Sequence, residues 1–221
     1  MSWHRSCTAA LILTASPAAA HPHIFIDTAL EVIFDDQGRA AALRVTWVYD
    51  DFYSLVMIED RELDPDGDSK LTPEEETKLS GFDMGWDADF VGDLYVLDKG
   101  TLPVAMGRPH DWSARYAMGR IISTHVRSFD TPVVVVAADP LVIQVYDPTY
   151  YTAYTILGTP RLSGAGAAGC SVQVFEPDLT EADTKLQAIL QEYTADQSLE
   201  QDFPAVGAAY ADEARVTCAK G

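Results

Sequence analysis

Basic residues are scarce in this chain of 221: 15 lysines and arginines stand against 34 aspartates and glutamates, a net charge of −19 at pH 7. A field of that sign repels nucleic acid and anionic lipid and attracts cations, so neither of the first two is expected as a partner. No apolar run reaches the ~20 residues that a membrane-crossing helix needs, so no span is expected in the mature protein. Glycine-rich phosphate loops, nucleophile elbows and internal repeats are absent as well, and with them goes the usual sequence basis for expecting an enzyme. Cysteine numbers three.

The first twenty residues read as a secretory signal peptide. His4 and Arg5 form a short basic start, Ala9, Leu11, Ile12 and Leu13 an apolar run, and Ala18 and Ala20 the small residues ahead of a cleavage site. Residues 21–221 are then expected as a single periplasmic domain beginning His21-Pro22-His23. Cleavage removes Cys7 and leaves Cys170 and Cys218 in an oxidising compartment. A bridge between them would close a loop of 49 residues counted inclusively (218 − 170 + 1), a constraint stabilising by roughly 4 kcal/mol on the chain-entropy model. Two buried free thiols are the alternative.

Hydrophobic periodicity favours strands. Ile24, Ile26, Thr28, Leu30 and Val32 alternate with polar or lone apolar neighbours, and after an Asp35-Asp36-Gln37-Gly38 turn Leu43, Val45, Trp47 and Tyr49 share one face. Phe52 to Glu62 and Pro73 to about Leu79 read as helices flanking an acidic loop. Further strands are expected at Leu94 to Leu97, Leu102 to Met106, Ile121 to Phe129, Val133 to Ala137, Leu141 to Tyr146, Tyr151 to Leu157, Cys170 to Phe175 and through Val216 and Cys218. A late helix opens at Thr180. The class expected is α+β: a mainly antiparallel, sandwich-like β domain carrying an inserted EF-hand-like helix-loop-helix at about 51–80 and a C-terminal helix.

The sharpest motif is DPDGDSKLTPEE. Set against the twelve-residue calcium loop of an EF-hand, Asp64, Asp66 and Asp68 fall at positions 1, 3 and 5, Lys70 offers its carbonyl at 7, Thr72 stands at 9 and Glu75 closes at 12. Alternate side chains of a tight loop converge on one hard cation, which is why the spacing matters. Position 6, normally glycine, is Ser69. Helix capping accounts for Thr72 and Glu75 without any metal, since Thr72-Pro73-Glu74-Glu75 is a capping box with proline at the first helical position. It leaves the three alternating aspartates unexplained, and calcium is the expected cofactor.

The second candidate lies at the mature terminus. His21 and His23 leave the same face of a strand, with Asp27 and Glu31 further along it. Imidazoles, an α-amine and carboxylates suit zinc, nickel, cobalt or copper, and Pro22 blocks the chelate that needs a second-residue amide N–H. A frayed, solvated terminus is the alternative. His110, His125, Asp50, Asp51 and Asp147 are conceivable further ligands. Tyr146, Tyr150, Tyr151 and Tyr154 could line a groove, though such clusters more often pack in a core.

Taken in order, HPHIFID, WVYDDFYS, DPDGDSKL and VYDPTYY resemble a bacterial family known as domain of unknown function 1007, described as the periplasmic component of an uncharacterised ABC-type transport system. The resemblance implies an exported accessory protein working with an inner-membrane metal permease or ABC-type transporter. The expectation is therefore a periplasmic metal-binding accessory of a nickel, cobalt or zinc transport system. A calcium-stabilised interaction module without a transport role is the alternative.

Overall fold

A computed structural model describes residues 22–192 and 203–219. The expected signal segment and His21 lie outside the described residues. In β1 (Ile24–Phe34) Ile26, Thr28, Leu30, Val32 and Phe34 are buried while the residues between them are not, as in a strand with one wet face. The turn follows from Asp35, whose carboxylate accepts N–H bonds from Gln37 and Arg39 and returns the chain into β2 (Ala40–Tyr49). Asp50 then caps α1 (Asp51–Asp60), and Thr72 caps α2 (Pro73–Leu79). The remaining strands are β3 (Leu94–Asp98), β4 (Leu102–Pro103), β5 (His110–Ala117), β6 (Arg120–Val133), β7 (Leu141–Val145), β8 (Thr152–Ile156), β9 (Arg161–Ser163), β10 (Cys170–Phe175) and β11 (Glu213–Cys218), with α3 (Leu179–Leu190) before the last.

The described residues form two sheets, one ordered β5-β6-β2-β1-β8 with β9 also on β1, the other β10-β11-β7-β3-β4. Leu43, Val45 and Ile121 of the first sheet join Leu94, Leu141, Ile143 and Val216 of the second in one buried cluster, which makes the molecule a sandwich. The expected α+β class is what the chain adopts. Its sheets are mainly antiparallel, but β8 and β9 run parallel to β1 along a single edge. The small-residue stretch after Arg161 follows from that path: a Cβ on Gly164 would stand 2.0 Å from the Phe34 carbonyl oxygen, and one on Gly166 would stand 2.3 Å from the Gly38 Cα.

Two local features differ from the sequence reading, and the expected cysteine pairing does not. His110 opens strand β5, in a stretch where no strand was expected, and its Nε2 lies 2.9 Å from Ser128 Oγ. As an edge strand β5 has no fully buried residue and is bulged between His110 and Ser113, so it shows no clean alternation to read. It reaches β6 through Met118 and Gly119, both at positive φ (54° and 78°), the conformation that two-residue hairpin turns require. The strand expected over 133–137 ends at Val133, where β6 closes. Cys170 and Cys218 face each other across β10 and β11 and are joined by a disulfide. Among the described residues no helix is long and apolar enough to cross a membrane.

Candidate functional site

The acidic loop is built locally. Asp64 Oδ1 and Oδ2 accept the N–H groups of Asp68 and Ser69 at 3.0 Å each, and Asp68 Oδ1 accepts that of Lys70 at 2.8 Å. These bonds curl the chain so that ligand oxygens of Asp64, Asp66 and Asp68 all lie within 4.8 Å of one another. Ser69 takes φ 62°, the left-handed turn that position 6 of a calcium loop demands. Asp66 takes part in none of those hydrogen bonds. The three carboxylates brought together are hard oxygen donors of the kind calcium takes, and Lys70 and Thr72 occupy the sequence positions from which such a loop adds a carbonyl and a hydroxyl. Glu75 has a second employment: Thr72 N–H and Oγ1–H donate to its Oε2 at 2.8 and 2.9 Å in a complete capping box. Those bonds hold its carboxyl below the usual range.

The histidine end is anchored rather than frayed at His23. Its N–H donates to the Tyr151 carbonyl at 2.8 Å, and its ring lies 4.7 Å from that of Tyr151. Among the described residues no group of three metal-ligating side chains gathers around it. Asp27 stands four residues along β1, about 13 Å at ~3.3 Å per residue, and its carboxylate pairs with Arg120 at 2.9 Å. Asp50 accepts the Phe25 and Tyr53 N–H groups, and Asp147 accepts those of Thr149 and Thr152. His125 is fully buried in the sandwich, T-shaped against Trp47 at 4.8 Å and Trp86 at 5.5 Å, and burial pushes it down to about 4, so it is neutral.

What sequence reasoning missed is that the motifs HPHIFID, WVYDDFYS and VYDPTYY meet at one end of the sandwich. The β1 start bonds to the β7–β8 turn through His23 and Tyr151. The β1 and β2 ends are tied by Asp50 N–H on the Phe25 carbonyl at 2.9 Å and by Phe25 N–H on Asp50 Oδ2 at 2.9 Å. Beneath them lies a polar interior. Thr28, Trp47 and Ser123 stand in direct register across β1, β2 and β6, and Tyr49 and Tyr154 donate to Asp83 at 2.9 Å and Asp93 at 2.8 Å. Burial raises both carboxyls, Asp93 to about 7. The only advance signal was the density of tyrosines and tryptophans, which does not name the two aspartates.

The family described as "Protein of unknown function (DUF1007)" matches residues 6–218. No curated protein matches the chain.

Proposed function

We propose that this chain, which belongs to the DUF1007 family, is a calcium-ordered binding protein working outside the cytoplasm. The observation that carries this reading is the convergence of Asp64, Asp66 and Asp68 within 4.8 Å around a loop whose sixth position is already left-handed. The signal-like first twenty residues and the Cys170–Cys218 bridge support a periplasmic location. The ion's role is structural here: it would tie the α1–α2 insertion, whose Leu63 and Leu79 reach the core, into one rigid element.

Thermal unfolding with and without calcium tests it. A ligand held only by the folded state at a hundredfold excess over Kd stabilises by about 2.7 kcal/mol, a rise of roughly 5–10 °C for a chain of this size. Asp66→Asn is the informative variant, because it removes a ligand without touching the capping box; it should abolish most of the rise. Wild type melting at the same temperature in millimolar calcium would leave the loop as a helix cap.

A second reading, an accessory that passes zinc, nickel, cobalt or copper to an inner-membrane permease or ABC-type transporter, draws on the exposed His23 fixed two residues after His21. Calorimetry with these metals on the chain starting at His21, and on one extended by a residue, tests it: equal affinities in both would remove the terminal amine from the ligand set.

A further inference from the structure

A cavity of about 460 Å³ runs along the free edge of β8, between that strand, Phe25 of β1 and the β10–α3 junction. Its size is that of a small-ligand site. Its walls are aromatic and aliphatic, with Phe25 and Leu179 more than half exposed, at 53% and 56%. Tyr150 and Tyr210, stacked at 4.2 Å, form one end. That end is rigidly built. Tyr150 is held at φ 58°, a conformation a bulky residue keeps only when its surroundings impose it. The segment carrying Tyr210 sits so tightly on the β7–β8 turn that a Cβ on Gly207 would stand 1.8 Å from the Asp147 oxygen.

The charge of the lining is one-sided. Two carboxylates, Glu176 and the buried Asp212, belong to it, and among the described residues no lysine, arginine or histidine does. The two stand side by side, one step beyond the Phe175–Glu213 pair that ends the antiparallel β10–β11 ladder, and burial and then, against the Ile156 N–H bond, the Glu176 charge push the Asp212 carboxyl up. Aromatic faces beside paired carboxylates are the surroundings in which an organic cation is held, by ring quadrupole and by charge together. The strand edge decides the occupant's shape. In a strand paired on one side, alternate N–H groups point outward, and those of Thr152 and Ile156 are already taken by Asp147 at 3.1 Å and Asp212 at 2.7 Å. An incoming peptide strand therefore cannot zip along β8. The site suits a compact molecule.

We propose that this cavity binds a small organic cation, an ammonium group on an apolar body, with Glu176 and Asp212 facing the charge and Phe25, Tyr150 and Tyr210 facing the body. The site is separate from the acidic loop. Titration calorimetry of the full chain with n-pentylamine, n-pentanol and valerate, three molecules of one shape and different charge, tests it. Pentylamine should bind one per chain, with the alcohol and the acid at least tenfold weaker. Glu176→Gln, at an exposed position that the fold does not need, should weaken pentylamine about tenfold, the loss expected for one charge-assisted contact. Phe25→Ala should weaken it too. Asp66→Asn in the acidic loop should not, which separates a site from general attraction to an acidic surface. Pentanol binding as well as pentylamine, an equal loss in the Asp66 variant, an unchanged Glu176→Gln, or no binding at all would each overturn the proposal.

Discussion

Two groups of aspartates in this molecule answer to different partners. Asp64, Asp66 and Asp68 stand at the surface within 4.8 Å of one another, with backbone N–H groups turned onto two of them. Asp83 and Asp93 lie inside, each with a tyrosine O–H as hydrogen-bond donor. Around the first group water screens the charges and leaves them to attract a cation. Around the second, burial disfavours the charged form strongly enough to bring Asp93 to about 7 in spite of the Tyr154 hydrogen bond, with the Asp147 charge adding to the rise. The side chain is the same. Exposure decides whether it is a candidate ligand for a metal or a group that holds a proton.

The largest expected effect breaks that contrast on the buried side. Asp93 ionises near 3.8 when unfolded and near 7 when folded, so between those values the native chain holds the proton more tightly. Stability on this account falls as pH rises from about 4 through about 7, and below about 4 the group makes no difference. The full penalty above pH 7 is on the order of 4 kcal/mol. Asp93→Asn keeps an acceptor for Tyr154, tolerates the φ of 50° found there, and removes the charge. Denaturant unfolding should find the variant more stable than wild type at pH 8 and level with it at pH 4; a difference that does not vary with pH would refute the assignment.

Next in size is Tyr49→Phe, which strips the O–H donor from Asp83 and should cost about 1–3 kcal/mol, the range for leaving a buried acceptor short of a partner. Asp66→Asn in calcium-free buffer should stay within about 0.5 kcal/mol of wild type, as exposed substitutions do. Chemical unfolding of the two variants side by side measures the contrast directly. Equal losses would mean that Asp83 is better solvated than its place under Tyr49 implies.

The same contrast explains what could be read ahead of the structure. The acidic loop was legible because its groups fall within twelve residues and its geometry follows from spacing. Even the awkward Ser69 occupies the left-handed position the pattern assigns it. The main strands were legible from alternation in β1 and β2, and the cysteine pair from parity. The buried group was not, since Tyr49 meets Asp83 across 34 residues and Tyr154 meets Asp93 across 61, and neither aspartate stands in a periodic segment. Asp27 illustrates the opposite error. A shared strand face suggested proximity to His23, but four residues of extended chain keep the two apart and Arg120 takes the carboxylate. The parallel docking of β8 on β1 leaves no local mark at all, and the cavity along its edge was invisible for that reason.

A small effect at the turn of the acidic loop sharpens the comparison on the exposed side. Ser69 holds φ 62° with its N–H on Asp64 Oδ2, and a non-glycine residue there carries strain of roughly 1–2 kcal/mol. Glycine would relieve it while adding disorder to the unfolded chain worth about 0.5–1 kcal/mol, so Ser69→Gly should move the calcium-free unfolding free energy by about 0–1.5 kcal/mol, toward greater stability. Its effect on calcium affinity depends on a different question. The loop already holds this conformation with Asp64 gathering the Asp68 and Ser69 amides, so the strain is present before and after the ion arrives and cancels from the binding equilibrium. Affinity for calcium should therefore change by less than about twofold, since only a difference between the two states shifts binding. A fivefold gain in calorimetry would show that the loop orders on binding, and the Asp64 hydrogen bonds would then be a consequence of the ion rather than the frame that awaits it.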